Sequence, residues 1–375
     1  MIKLLKMTGL AIGTILILLS IFTLLFIFLS PQFGGSLNSE LKTSYAKSKN
    51  WKANKFVNQI PTSLDIKLKD YPGMIAKYFG NSKGRQPKND LSVLKIDSLA
   101  IVNKPSGMTR ITWFGHSAFL LEIKGKNILI DPMFGEVAAP HPYLGKKRYN
   151  AELPIEIEKL PHLDAIIISH DHYDHLDYES ILKLKDKADE FYMPLGVGRH
   201  FKKWGVDERK IHELDWWDEI KLDNLKLVCT PARHFSGRGF TDNSTTLWSS
   251  WVILSETEKI YFSGDSGYGP HFKEIGKKYG PFDFAMLECG QYNEQWSAIH
   301  MMPEQTAQAS IDVQAKIFMP IHWAAFTLAF HSWTDPIERV SAKSKELGLK
   351  LSTPRIGESV ILGEAYPAST WWKGL

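Results

Sequence analysis

Two hydrophobic patterns divide the chain. From Met7 to Ser30 no residue is charged, and the apolar positions run on without the polar stripe that a globular surface helix keeps. About twenty such residues suffice to cross a bilayer, so residues 1–30 are expected to form one N-terminal transmembrane helix, ended by Pro31 with Gly34 and Gly35. A cleavable signal has an apolar core of only about 7–15 residues and a small-residue cleavage site, and no cysteine follows for lipid attachment, so the segment reads as an uncleaved signal anchor. The positive-inside rule keeps Lys3 and Lys6 cytoplasmic and places the catalytic domain extracytoplasmic, although the basic stretch 42–55 pulls the other way.

Residues 31–107 are polar, basic and weakly periodic, punctuated by Pro61, Pro72, Pro87 and Pro105, which predicts a lead-in segment packing on a domain. From 108 to 375 short apolar runs alternate with helical stretches. Strands are expected over 110–113, 118–123, 127–130, 165–169, 225–230, 249–254, 259–263, 284–287 and 317–320, and helices over 178–187, 197–204, 271–279, 303–313 and 335–347. Hairpins and strand-helix units together imply an α/β fold, two mixed sheets with helices outside.

Composition narrows the function little. With 375 residues, 44% hydrophobic and 23% charged, the chain can bury a large core, and a net charge of +4 is too small to mark a nucleic-acid partner. Cys229 and Cys289 stand far apart and read first as small buried hydrophobes, with a single bridge between them as the alternative. Twelve tryptophans exceed what packing alone needs; most are expected as core or rim residues, and the excess can mark a surface that meets lipid or a bulky apolar ligand.

The chemistry concentrates in Ile166-Ile-Ile-Ser-His170-Asp171-His172-Tyr173-Asp174-His175, where three imidazoles and two carboxylates follow a buried strand. Such a group is not buried without a strong partner, and a metal supplies one. His170 and His172 can meet one ion while Asp174 and His175 project toward a second. His234, Asp265 and His322 each follow another apolar run, so four clusters can converge on one sheet edge.

The intact H-x-H-x-D-H motif, His170, His172, Asp174 and His175, closely resembles that of the metallo-β-lactamase fold superfamily. The resemblance implies a four-layer αβ/βα sandwich with His170, His172 and His234 on one metal, Asp174, His175 and His322 on the other, and Asp265 bridging. Asp131 would be a structural support. His172 stands where diiron oxygen-reducing relatives carry glutamate, which disfavours redox chemistry. Two Zn2+ are the first choice, and iron or manganese also suits these donors.

A closer resemblance is to the N-acylphosphatidylethanolamine-hydrolysing phospholipase D family and its bacterial relatives. It rests on Trp113-Phe-Gly-His116-Ser, Leu129-Ile-Asp131-Pro, Pro231-Ala-Arg-His234-Phe-Ser-Gly-Arg238, Phe262-Ser-Gly-Asp265-Ser-Gly-Tyr268, His300-Met-Met-Pro-Glu304-Gln, Ile321-His322-Trp323 and Lys55-Phe-Val-Asn58. It implies a phosphodiesterase acting on a membrane phospholipid through a metal-bound hydroxide, with Asp174 also accepting the water's proton. His300 would bind phosphate or protonate the leaving group, His116 would line the site or support Asp131, Arg233 and Arg238 would meet an anionic substrate, and His331 would border the cleft. A homodimer is open on the same ground. Two other classes share the metal core: a lactonase or thioesterase, and a non-catalytic, metal-stabilised scaffold. No nucleic-acid partner is expected.

Overall fold

The computed structural model describes residues 2–80, 84–105 and 107–375. Helix α1 (Ile2–Leu29) precedes α2 (Ser39–Tyr45), the short strands β1 (Trp51–Lys52) and β2 (Lys55–Phe56), α3 (Tyr71–Phe79) and α4 (Ser98–Val102). Then come β3 (Arg110–Trp113), β4 (Phe119–Ile123), β5 (Lys126–Ile130), β6 (Leu163–Ile167), α5 (Tyr178–Leu184), β7 (Ala188–Pro194), α6 (Gly198–Lys203) and β8 (Ile211–Leu214). The second half holds β9 (Glu219–Leu222), β10 (Leu225–Thr230), β11 (Ser250–Leu254), β12 (Lys259–Phe262), α7 (His271–Tyr279), β13 (Phe284–Glu288), α8 (Pro303–Asp312), β14 (Phe318–Ile321), α9 (Asp335–Glu346) and β15 (Ser359–Ile361).

The strands form two mixed sheets, ordered β15-β3-β4-β5-β6-β7-β8 and β14-β13-β12-β11-β10-β9 beside the small β1-β2 pair. Alternation in the first sheet assigns its faces. Trp113, Phe119, Leu121, Ile128, Ile130 and Ile167 turn toward the second sheet, where Leu227, Trp251 and Phe262 meet them in one core. Leu120, Leu129, Ile166 and Ile168 turn the other way, onto Ile181 and Leu184 of α5 and Phe201 of α6. Helices α7, α8 and α9 add Phe272, Ala307 and Ile337 to the outer side of the second sheet. The result is the expected four-layer αβ/βα sandwich. Covered on both faces, β4 is buried throughout, its one charged residue, Glu122, being paired with Arg110.

The direction of pairing decides where the chemistry lies. β5, β6 and β7 are parallel, as are β12, β13 and β14, and β3 and β10 are each separated from such strands by one antiparallel neighbour. The C-terminal ends of β3, β5, β6, β10, β12, β13 and β14 therefore open on one edge.

The expected apolar strands are present, but β6 stops at Ile167, two residues early, because the Ser169 amide leaves the ladder for the Asp131 carboxylate. The weakly periodic lead-in contains short helices that its pattern did not announce. Residues Lys6–Leu29 of α1 form a helix long and apolar enough to cross a membrane, with mean hydropathy 2.8 and no burial in the protein. Most tryptophans are buried, Trp113, Trp323, Trp333 and Trp372 packing together with the partly buried Trp371, while Trp296 lines the cavity described below. Cys229 and Cys289 are free and buried.

Candidate metal centre

Beyond β6 the chain makes a tight loop whose two ends are pinned by one carboxylate. Asp131, at the end of β5, accepts from the Ser169 amide (2.7 Å) and hydroxyl (2.5 Å) and from His175 Nδ1 (2.6 Å). That bond fixes the His175 tautomer and orients its Nε2, as an outer carboxylate does for a ligating imidazole. Burial works against a charge on His175, but Asp265, Asp174 and Asp131 outweigh it and hold the ring's pKa well above its ordinary value.

The loop and the end of β10 bring three imidazole nitrogens to one point. His172 Nδ1 lies 2.9 Å from His170 Nε2 and 3.1 Å from His234 Nε2. His234 donates its Nδ1 proton to the Ile299 carbonyl (2.9 Å), which leaves Nε2 as a bare lone pair. Burial pushes His170 and His234 well below the ordinary histidine range and His172 down to about 4. A proton on His172 Nδ1 can satisfy only one of the two facing lone pairs at a time, whereas a cation between the three rings satisfies all of them.

A second donor set adjoins the first. Asp174 Oδ2 lies 3.6 Å from His175 Nε2 and 3.8 Å from His322 Nε2. Asp265 stands between the sets: Oδ1 is 3.1 Å from His175 Nε2 and 3.0 Å from His322 Nδ1, and Oδ2 is 3.9 Å from both His170 Nε2 and His234 Nε2. Burial raises the Asp265 carboxyl to about 6. Asp265 Oδ1 and His175 Nε2 are buried without a satisfied hydrogen bond, the condition that a bound cation would relieve. Within this cluster, groups of three or four donor atoms lie inside 4.8 Å of one another, so the residues fit a metal and can bind one.

A family model described as a β-lactamase superfamily domain matches residues 126–323. The chain belongs to the β-lactamase superfamily. An uncharacterised protein of Mycobacterium tuberculosis is 35% identical over 349 residues, 92% of each chain. An N-acyl-phosphatidylethanolamine-hydrolyzing phospholipase D of Caenorhabditis elegans is 32% identical over 229 residues, 58% of this chain and 64% of that one. A metallo hydrolase of Ignicoccus hospitalis shares the fold, with a TM-score of 0.51 at 21% identity over 69% of this chain and 100% of that one. With its histidine-aspartate cluster, the protein is a metal-dependent hydrolase of the β-lactamase superfamily.

Some residues around the site take roles other than those the sequence suggested. His116 supports Asp174 rather than Asp131: its Nε2 donates to Asp174 Oδ2 at 2.8 Å, and its ring packs on His322 at 4.1 Å. Its carbonyl accepts from the His322 amide (3.0 Å), tying two strand ends together. His116, Asp131 and His322 all have positive φ (55°, 42° and 68°), a conformation costing about 1–3 kcal/mol per non-glycine residue and found where a site requires it. A Cβ on Gly290 would stand 1.9 Å from the His322 carbonyl oxygen, so glycine is required behind this turn.

The two arginines expected to meet substrate bind the backbone instead. Arg233 donates to the Tyr268 and Pro61 carbonyls and to Thr62 Oγ1. Arg238 is buried, donates to the carbonyls of Gln32, Asp171 and Leu176, and stacks on Tyr173. His331 stacks on Tyr292 and does not line the cavity. Neither donor set includes His141, His162, His200, His212 or His271.

Glu288, the last residue of β13, went unnoticed in the sequence: it is fully buried, accepts from the Met301 amide (2.8 Å) and lies 3.2 Å from His300 Nδ1. Asn58 of the lead-in holds the His234 backbone through both its amide and its carbonyl. A cavity of about 230 Å³ covers the cluster, with His172, Asp174, Asp265, His300 and His322 at its floor and Leu64, Ile66, Trp296 and Leu328 as apolar wall.

Proposed function

We propose that the protein is a membrane-anchored dinuclear hydrolase of phosphodiesters, of phospholipase D type, acting on N-acylphosphatidylethanolamine-like lipids. The observation that carries this reading is the meeting of two donor sets at Asp265 beneath an apolar-walled cavity. In it, His170, His172 and His234 would hold one ion, and Asp174, His175 and His322 the other. Zinc fits neutral imidazoles with carboxylates. Two bound cations supply an activated water and neutralise the charge of the phosphate.

The chain's own residues then set the substrate and move its protons. The cavity of about 230 Å³ admits a headgroup phosphodiester, and an adjoining groove of about 640 Å³, sharing Leu64, Phe235 and Ile299, offers room for acyl chains. His300 is anchored by Glu288 through Nδ1, which leaves Nε2 without a protein partner in a residue lining the cavity. Burial lowers its pKa, so at neutral pH it takes up the proton released as water attacks phosphorus and returns it to the departing alkoxide. The phosphorus-oxygen bond to the N-acylethanolamine breaks, and phosphatidic acid is the second product. The similarity to the Caenorhabditis elegans enzyme supports the lipid class.

The test is a substrate panel on protein assayed for metal content. Two ions per chain with turnover of N-acylphosphatidylethanolamine, abolished in His172→Ala, is the expected result. A fully loaded protein that cleaves lactones or thioesters and leaves the lipid intact would overturn the substrate.

A further inference from the structure

The end of α1 does not hang free of the catalytic domain. Three buried side chains take hold of the five residues that follow Ser30. Trp204 Nε1 donates to the Pro31 carbonyl (2.7 Å), Arg238 Nε to the Gln32 carbonyl (2.8 Å), and the Gly35 amide to His200 Nδ1 (3.0 Å). The fit is close: a Cβ on Gly34 would stand 1.9 Å from His200 Nδ1 and one on Gly35 2.3 Å from the Arg199 carbonyl oxygen. Phe26 of the helix also packs on Phe33 (5.7 Å) and on His141 of the domain (6.1 Å).

Held this way, the helix and the domain enclose an open groove of about 670 Å³, with Leu19, Phe22 and Phe26 on one side and Tyr143, Leu144 and Phe240 on the other. The three domain residues are 90%, 56% and 82% exposed, an unusual state for large apolar side chains clustered on a soluble surface. Leu19 lies ten residues before the helix end at Leu29, or about 15 Å along the axis. A bilayer's hydrocarbon core is about 30 Å thick. If α1 spans it, the loops 140–144 and 239–240 reach the same depth as the helix's second half. The groove floor includes Tyr173, the residue between His172 and Asp174.

We infer that this face of the catalytic domain is immersed in the bilayer, with Tyr143, Leu144 and Phe240 in the acyl-chain region beside α1 and lipid chains filling the groove. The inference rests on the reading of α1 as a membrane anchor and goes beyond it: the domain is clamped into the membrane surface, with the metal loop directly behind the immersed face. Its surroundings favour lipid as the occupant, because the opposite wall of the groove is the uncharged helix itself.

The experiment uses the full chain in phosphatidylcholine–phosphatidylglycerol vesicles. Spin labels are placed one at a time through Tyr143→Cys, Phe240→Cys, Ile21→Cys as the helix reference and Glu346→Cys as the aqueous reference. Cys229 and Cys289 are fully buried and do not compete for label. Collision with oxygen and with a water-soluble nickel chelate reports depth. Labels at 143 and 240 are expected to lose nickel collisions to the level read at 21. If they match 346 while 21 stays in lipid, immersion is overturned and the anchor stands; if 21 is also aqueous, the anchor fails and the inference with it. Gly35→Ala, which cannot seat against Arg199, is expected to return the labels at 143 and 240 to water while 21 remains buried, and unchanged immersion would overturn the clamp as its cause.

Discussion

The two donor sets solve the same packing problem with different charges. Around His172 the chain places three neutral imidazoles, and the nearest carboxylate oxygen, from Asp265, is 3.9 Å from His170 and His234. Around Asp174 it places two carboxylates against His175 and His322, with His116 donating to one of them. Without a cation, the second set neutralises part of itself through His175, whereas the first holds no charge and can share at most the proton of His172 Nδ1 among its facing nitrogens. The first set therefore balances its nitrogens best with a cation and the second partly with its protein partners, and among the described residues Asp265 stands within 4 Å of members of both.

The largest effect is expected where the sets meet. Asp265→Ala removes one member of a buried charge cluster, a stability loss of about 3–5 kcal/mol, and turnover is expected to fall to background because both donor sets lose a ligand. Metal analysis of this variant is expected to find less than one ion per chain, and a variant retaining two would mean that the sets are independent. His172→Ala separates them: one ion is expected to leave and the one at Asp174 to stay, with turnover falling to background. His116→Asn works on the other side. Its ring touches Asp174 from behind, and loss of such a support weakens metal affinity by about 10–100-fold, here at the second set alone. Equal weakening of both ions in a competition titration would break the distinction.

Strand-end chemistry was legible because each cluster directly follows an apolar run, so His170, His234, Asp265 and His322 announced their common edge before any coordinate. What the sequence hid has physical reasons. Glu288 is a single acid at the end of an apolar strand, with no motif to separate it from a surface residue. Arg233 and Arg238 look like anion ligands in one dimension, and only three dimensions show that their donors meet backbone carbonyls. Strand β7 carries Asp189 and Glu190 directly after its first residue, leaving too short an apolar run to declare itself. Leu64 and Ile66 sit in a lead-in without periodicity, yet they wall the cavity, because their packing is set by a domain that lies far along the chain.

The smallest effect concerns the residue behind Asp265. Ser266 Oγ lies 3.0 Å from His271 Nε2 and accepts from the Arg233 amide (3.0 Å), so His271 braces the segment that carries the shared carboxylate. Burial, with Arg233 adding to it, lowers the His271 pKa from 6.5 to about 3. Its proton is therefore bound in the unfolded chain and absent from the folded one between those values. Stability is unaffected by this group above pH 6.5 and falls as pH drops from 6.5 toward 3, with a slope of about 1.4 kcal/mol per pH unit for one proton. Thermal melts of metal-loaded His271→Gln are expected to lose that increment of slope relative to the parent while keeping both ions at neutral pH. Loss of a single ion instead would place His271 in the support of one set and not of the carboxylate between them.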